Sequence, residues 1–375
     1  MNESVNEQWA PPSPAERSGG SKCSYPVKET NYPSFWRTQT WQVWRPIVAL
    51  VVGVFVFFVL SMIASVAGLL IDQATGRQKI TEITSMADFE MTPIMFLATN
   101  LSLAALVPTA MLIGRIIFGQ KGGFVSSVIG KLRWGWLGVC VAIMIPVWAL
   151  MILVSWLVNP AQFDGLHANN ETVLFICIIL LTTPLQCAGE EYGFRGLINR
   201  SVSSFVRPDK KIFGVPTGML LGTLVSSLMF MAAHAATDIW LNLFYFMFGV
   251  VSCIMAWRTG GLEASIAMHA VNNLVAMTTL PFGDTEGLLD RSSGVADASA
   301  LIQIAAPIVG MLLVLFVAKK LGVQKTSAPD APSEEPDTAS VMPKQIAPRF
   351  PEEGTDEEMS KPRRAINNQT EQSIE

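Results

Sequence analysis

Charge is what this 375-residue sequence has little of. Only 15% of its residues are Asp, Glu, Lys or Arg and half are apolar, whereas about a quarter of an ordinary soluble domain is charged. That balance argues against a water-soluble domain. Cysteine is sparse as well. The five copies (Cys23, Cys140, Cys177, Cys187, Cys253) form no CxxC pair and no close cluster, which argues against a thiolate metal site and for small apolar packing residues. There is no HExxH motif and no terminal Cys box, the chain ending in "QSIE", so it is not expected to be prenylated itself. Residues 1–34 are too polar for a cleaved signal. The net charge of −4 says little, because much of the acid sits near the C-terminus; no nucleic-acid partner is expected.

What is present comes in blocks. Apolar segments at 47–71, 94–118, 134–158, 172–189, 215–234, 238–257, 262–280 and 301–318 each approach the ~20 residues that cross a hydrocarbon core. The expectation is an all-α, polytopic membrane bundle of about eight transmembrane helices with disordered polar termini. The weakest segment is 262–280, which carries Glu263, His269 and two asparagines. Three regions follow: a polar N-terminal tail with a Trp-rich juxtamembrane stretch (1–45), the bundle (46–320) with a motif core at 172–280, and an acidic disordered tail (321–375). Lys and Arg gather in loops 115–133 and 190–214, and again after residues 257 and 318. The positive-inside rule then puts both termini in the cytoplasm of a cell-membrane protein. Trp36, Trp41, Trp44, Trp134, Trp136, Trp240 and Trp257 read as interfacial anchors.

Against this background "AGEEYGFRG" (188–196) stands out, since charge within a span is costly and is kept where it has a use. On a helix Glu191 and Arg195 stand four apart with the acid first, the favourable order for an ion pair. Glu190 lies about 100° around the helix and projects elsewhere. One carboxylate can be neutralised while its neighbour faces a cavity. Two of the three histidines are also in or at the ends of spans: His234, four residues after Phe230 in "FMAAH", and His269, four before Asn273 in "HAVNN". His167 lies in an outer loop and reads as an ordinary exposed imidazole. Gly218, Gly222 and Ser226 form a small-xxx-small series that lets a neighbouring helix approach closely. A common site requires loop 258–262 to enter the membrane or the helices to tilt.

These groups suit peptide hydrolysis. Glu190 can take a proton from water and return it to the leaving amine. His234 can hold the water, while His269 and Asn273 can donate to the oxyanion. Two His and one Glu also make a catalytic zinc sphere, so Glu190, His234 and His269 are alternative ligands for a divalent metal. That option ranks second, as no carboxylate evidently backs either histidine. Metal-dependent and metal-free chemistry both stay open at this level.

The ordered set "EEYGFR", "FMAAH" and "HAVNN" resembles the CAAX-processing and bacteriocin-processing (CPBP, or Abi) membrane proteases, over roughly residues 172–280. The resemblance implies an intramembrane, metalloprotease-like endopeptidase of the type II CAAX kind. Glu190 would be catalytic, Glu191 and Arg195 supporting, and His234, His269 and Asn273 the other site residues, with Phe230 in the second motif. It implies a membrane-associated or lipidated protein or peptide substrate, with roles in maturation or bacteriocin immunity. Two other readings fit the same residues: a proton- or ion-coupled transporter, and an inactive, family-derived membrane binding protein.

Overall fold

Every apolar block condenses into helix, because in hydrocarbon a backbone must satisfy its own polar groups. The computed structural model describes residues 23–84, 88–158, 160, 166–283 and 300–331. The first 22 residues, residues 284–299 with Arg291, and the acidic tail beyond residue 331 lie outside them, whereas residues 321–331, expected to be disordered, are described and include an ordered strand at Thr326–Ser327. The helices are α1 (Trp44–Thr75), α2 (Pro93–Ala104), α3 (Leu106–Phe118), α4 (Trp134–Val158), α5 (Thr172–Glu191), α6 (Thr217–Ala233), α7 (Ile239–Thr259), α8 (Glu263–Ala276) and α9 (Ala300–Lys320). The chain is an integral membrane protein, a polytopic helical bundle. Six helical segments among the described residues are long and apolar enough to cross a bilayer: Trp44–Thr75, Pro93–Phe118, Trp134–Val158, Thr172–Ser203, Ile239–Thr259 and Gln303–Lys320. Helix α6 is a shorter apolar helix of 17 residues. Helix α8 has 14 residues, about 21 Å at 1.5 Å per residue, and packs against α4, α5, α7 and α9. Its Glu263–Val271 stretch is wholly buried. Protein, not lipid, surrounds the least hydrophobic segment.

Local breaks serve this packing. Pro108 lacks the N–H that would bond back to Ala104, and α2 gives way to α3 at Ala105. The last turn of α2 then lies against Gly189 of α5, where an added Cβ would fall 1.9 Å from the Leu103 carbonyl oxygen. Beyond Glu191, α5 continues as a π-helical stretch, Tyr192–Asn199, and a final α-turn, Arg200–Ser203. The small series on α6 packs here. Gly218 meets the Ser203 carbonyl, Gly222 the Asn199 carbonyl, and Ser226 Oγ donates to the Phe194 carbonyl at 2.8 Å.

Arg258 is exposed, whereas residues 259–262 are buried. Gly260 caps α7 at φ 73°, its carbonyl accepts from Val128 N–H at 2.9 Å, and Leu262 N–H donates to Ser126 at 2.9 Å. Glu263 then receives both Arg133 Nε (2.9 Å) and Arg133 Nη2 (2.6 Å), which explains how an acid sits at the start of a buried helix.

The segments flanking the bundle also join the fold. Strand β1 (Thr30–Asn31) pairs antiparallel with β4 (Thr326–Ser327), and Arg133 Nη1 donates to the Gln324 carbonyl. Two tryptophans expected at the interface are core residues instead. Trp36 (1% exposed) stacks on Phe118 with Arg200 4.4 Å above its ring, and Trp136 is 8% exposed. For Trp36 the reason is the fold-back of residues 30–36 onto the bundle, closed by the Tyr32 hydroxyl donating to the Val125 carbonyl, whereas Trp136 packs in a separate core with Cys140, Met144 and Met255. Burial pushes that phenol far above its usual range, against the pull of Arg200, so it remains a donor. Trp44 and Trp134 do face outward.

Candidate active site

The buried charge sits where α5 turns into its π-helical extension. Arg195 Nη1 meets Glu191 Oε1 at 3.0 Å, with both side chains fully enclosed. The same oxygen accepts from His269 Nδ1 at 2.9 Å, so α5 and α8 share one carboxylate. With Nδ1 donating, neutral His269 carries its lone pair on Nε2. That nitrogen lies 3.7 Å from Glu190 Oε2, too far for a direct hydrogen bond. Glu190 Oε2 has no hydrogen-bond partner among the described residues. The 100° step between successive residues therefore separates the two acids by task. Glu191 is neutralised, and Glu190 turns to a cavity. It also supplies what the sequence did not reveal, a carboxylate backing a histidine, because Glu191 points at α8.

Glu190 Oε1 is held differently. It accepts a very short bond from Gln186 Nε2, one turn earlier on α5. Gln186 Oε1 accepts from Asn273 Nδ2 at 3.3 Å, Asn273 Oδ1 from Asn272 Nδ2 at 3.0 Å, and Asn272 Oδ1 from Trp148 Nε1 at 3.3 Å. An indole N–H can only donate, so Trp148 fixes the direction of every amide down to the carboxylate. Gln186, Asn272 and Trp148 were not picked out from the sequence. Gln186 shares a helix face with Glu190, a usable signal. Trp148 gave only the general one that a buried indole needs a partner.

Phe230 organises the remaining groups. Its ring contacts His234 (centroids 4.6 Å apart), His269 (5.8 Å) and Phe248 (5.8 Å), and the Arg195 guanidinium stands 4.4 Å above it. The FxxxH spacing places His234 at the C-terminal cap of α6, where Nδ1 donates to the Phe230 carbonyl at 2.8 Å and the imidazole stacks on Tyr245 at 3.8 Å. His167 is exposed, and its backbone N–H donates to the Phe282 carbonyl at 2.8 Å. Glu190, His234, Asn272 and Asn273 line one cavity of about 1370 Å³, whose other walls include Phe58, Phe96 and Phe244. That exceeds a typical small-ligand site of roughly 300–1,000 Å³.

Among the described residues no three His, Cys, Asp or Glu side chains converge as a ligand set. His269 has Nδ1 on Glu191 and His234 has Nδ1 on its own helix, which leaves Nε2 of each as the nitrogen a metal would use.

The chain is 26% identical over 129 residues to the uncharacterized protein YyaK of Bacillus subtilis (strain 168), covering 32% of this chain and 40% of that protein. No solved structure matches. Residues 170–275, which include Gln186, Glu190, Glu191, Arg195, Phe230, His234, His269 and Asn273, match the family model described as Type II CAAX prenyl endopeptidase Rce1-like, so over this segment the chain is similar to that protease family.

Proposed function

We propose that the chain is an intramembrane endopeptidase that hydrolyses a peptide bond in a membrane-associated or lipidated protein or peptide. The observation that carries this reading is the facing pair Glu190 Oε2 and His269 Nε2, 3.7 Å apart, with Glu190 in the wall of the cavity. Both atoms are acceptors, and a gap of that length suits a bridging water. A water between them donates one hydrogen to each and turns its oxygen lone pairs toward the substrate.

Glu190 then takes one proton as the water oxygen bonds to the scissile carbonyl carbon. The tetrahedral oxyanion is met by Asn273 Nδ2, whose second hydrogen is not used by Gln186. Collapse breaks the C–N bond, and Glu190 returns its proton to the leaving amine. In this scheme His269 holds the water, the task His234 would have on sequence grounds. His234 instead lines the cavity, where it can orient the peptide. Glu191 fixes the His269 tautomer, and Arg195 pairs with Glu191. The loop charges support cytoplasmic termini. No step is assigned to a metal.

The test compares membrane peptide termini from cells carrying the wild type with those carrying Glu190→Gln. New termini should appear in the wild type and vanish in the variant, while folded protein persists. Identical termini accompanied by altered proton or solute flux would overturn the reading in favour of transport.

A further inference from the structure

Between the end of the α5 extension at Ser203 and the start of α6 at Thr217, the chain makes a small hairpin. Strand β2 (Lys211–Ile212) pairs with β3 (Val215–Pro216), and Thr217 N–H donates to the Lys210 carbonyl at 2.9 Å. The two tip residues, Phe213 and Gly214, both have left-handed backbones, φ 49° and 78°. That pattern belongs to a two-residue type I′ loop, whose first position favours Asn or Asp. Phe is a poor choice on two counts. A bulky side chain resists positive φ, and here the ring is completely exposed (102%), beside Ile212 at 47%. A residue that opposes its own turn and buries nothing needs a reason outside the chain.

The surroundings indicate what that is. Leu220, one turn into α6, faces outward together with Leu221 and Leu224. The hairpin root therefore lies about 5 Å from hydrocarbon by the helical rise. The tip is no more than about 10 Å of strand beyond it. An interfacial layer about 5–8 Å deep on each leaflet covers the root, and also the tip when the hairpin lies along the membrane. The neighbouring segment is built for that layer. Trp41 donates to Ser204 Oγ, packs edge-on to the exposed Phe205, and carries Arg37 3.5 Å over its ring. Lys210 and Lys211 are exposed on the hairpin itself, and Arg207 pairs with Asp209 at 3.3 Å. Among the described residues no acid pairs with Lys210 or Lys211, so the segment carries two positive charges next to an apolar tip.

We propose that hairpin 210–217 is a lipid-binding finger. Phe213 and Ile212 wedge into the acyl boundary of the leaflet, while Lys210 and Lys211 hold anionic lipid phosphates. The partner is the bilayer around this chain. The finger joins the helix that carries Glu190 to the one that carries His234, so it ties the site to the depth of that leaflet. This inference does not depend on the protease reading.

The test uses the full chain with Cys23 and Cys177 replaced by serine and a nitroxide attached at Phe213→Cys, in nanodiscs of phosphatidylcholine with or without phosphatidylglycerol. The label should be relaxed by oxygen more than by a water-soluble nickel chelate. The reverse order, a label standing in water, would overturn the wedge. Phe213→Asn, which suits the turn better, checks folding separately; its thermal unfolding should be unchanged or higher, and a lower midpoint would mean that Phe213 serves the fold instead. Native mass spectrometry with phosphatidylglycerol reads the lysines. Lys210→Ser and Lys211→Ser should each weaken retention about fivefold, the usual effect of a basic residue at an anionic surface. Equal retention by the double variant would overturn the headgroup assignment.

Discussion

Two carboxylate–arginine pairs are buried at opposite ends of one helical neighbourhood, and they are built to different standards. At the start of α8, Glu263 takes Arg133 through both oxygens, at 2.9 and 2.6 Å, and receives the Arg133 backbone N–H as well. At the end of α5, Glu191 meets Arg195 through one oxygen at 3.0 Å; Glu191 Oε2, Arg195 Nε and Arg195 Nη2 have no hydrogen-bond partner among the described residues. A fork-to-fork pair saturates its donors and acceptors and acts as a clasp. An under-satisfied pair keeps a strong local field and lends it to His269. Chemistry needs the second kind.

Breaking that contrast should affect activity and folding unequally. Glu191→Ala has the largest expected effect. It strands a buried guanidinium, worth about 3–5 kcal/mol of stability, and frees the His269 tautomer, which should lower activity per folded molecule about 100-fold. Thermal unfolding alongside the peptide-termini assay checks both. Glu263→Ala comes next. Stability should fall by about 3 kcal/mol, while the molecules that remain folded keep wild-type activity. A loss of specific activity there would remove the distinction between the two pairs. The smallest effect belongs to the amide chain. Trp148→Phe removes one hydrogen bond of roughly 1 kcal/mol and should cut activity about fivefold with little change in unfolding temperature. Unchanged activity would show that Glu190 is oriented by Gln186 alone.

Much of this was readable before any fold was known, for reasons particular residues make plain. The apolar blocks gave helices because hydrocarbon allows little else. The four-residue spacing of Glu191 and Arg195 gave their ion pair because it is a property of one helix. What stayed hidden depends on two or more segments meeting. Trp36 looks like an interfacial anchor until residues 30–36 fold back onto Phe118. Glu191 looks like a partner for Arg195 alone until α8 brings His269 to the same oxygen. The π-helical stretch 192–199 has no local signature, since its freed Phe194 carbonyl is satisfied from α6 by Ser226.

The contact between Gly189 and the Leu103 carbonyl governs which positions on α5 can change. Leu180, Leu181 and Leu185 on the outward face could be exchanged for almost any oily neighbour at small cost. Position 189 tolerates no such traffic, because even one methyl group would drive two helices apart and carry the adjacent carboxylate with them. The alignment of the reacting groups is therefore set partly by an atom that is not there.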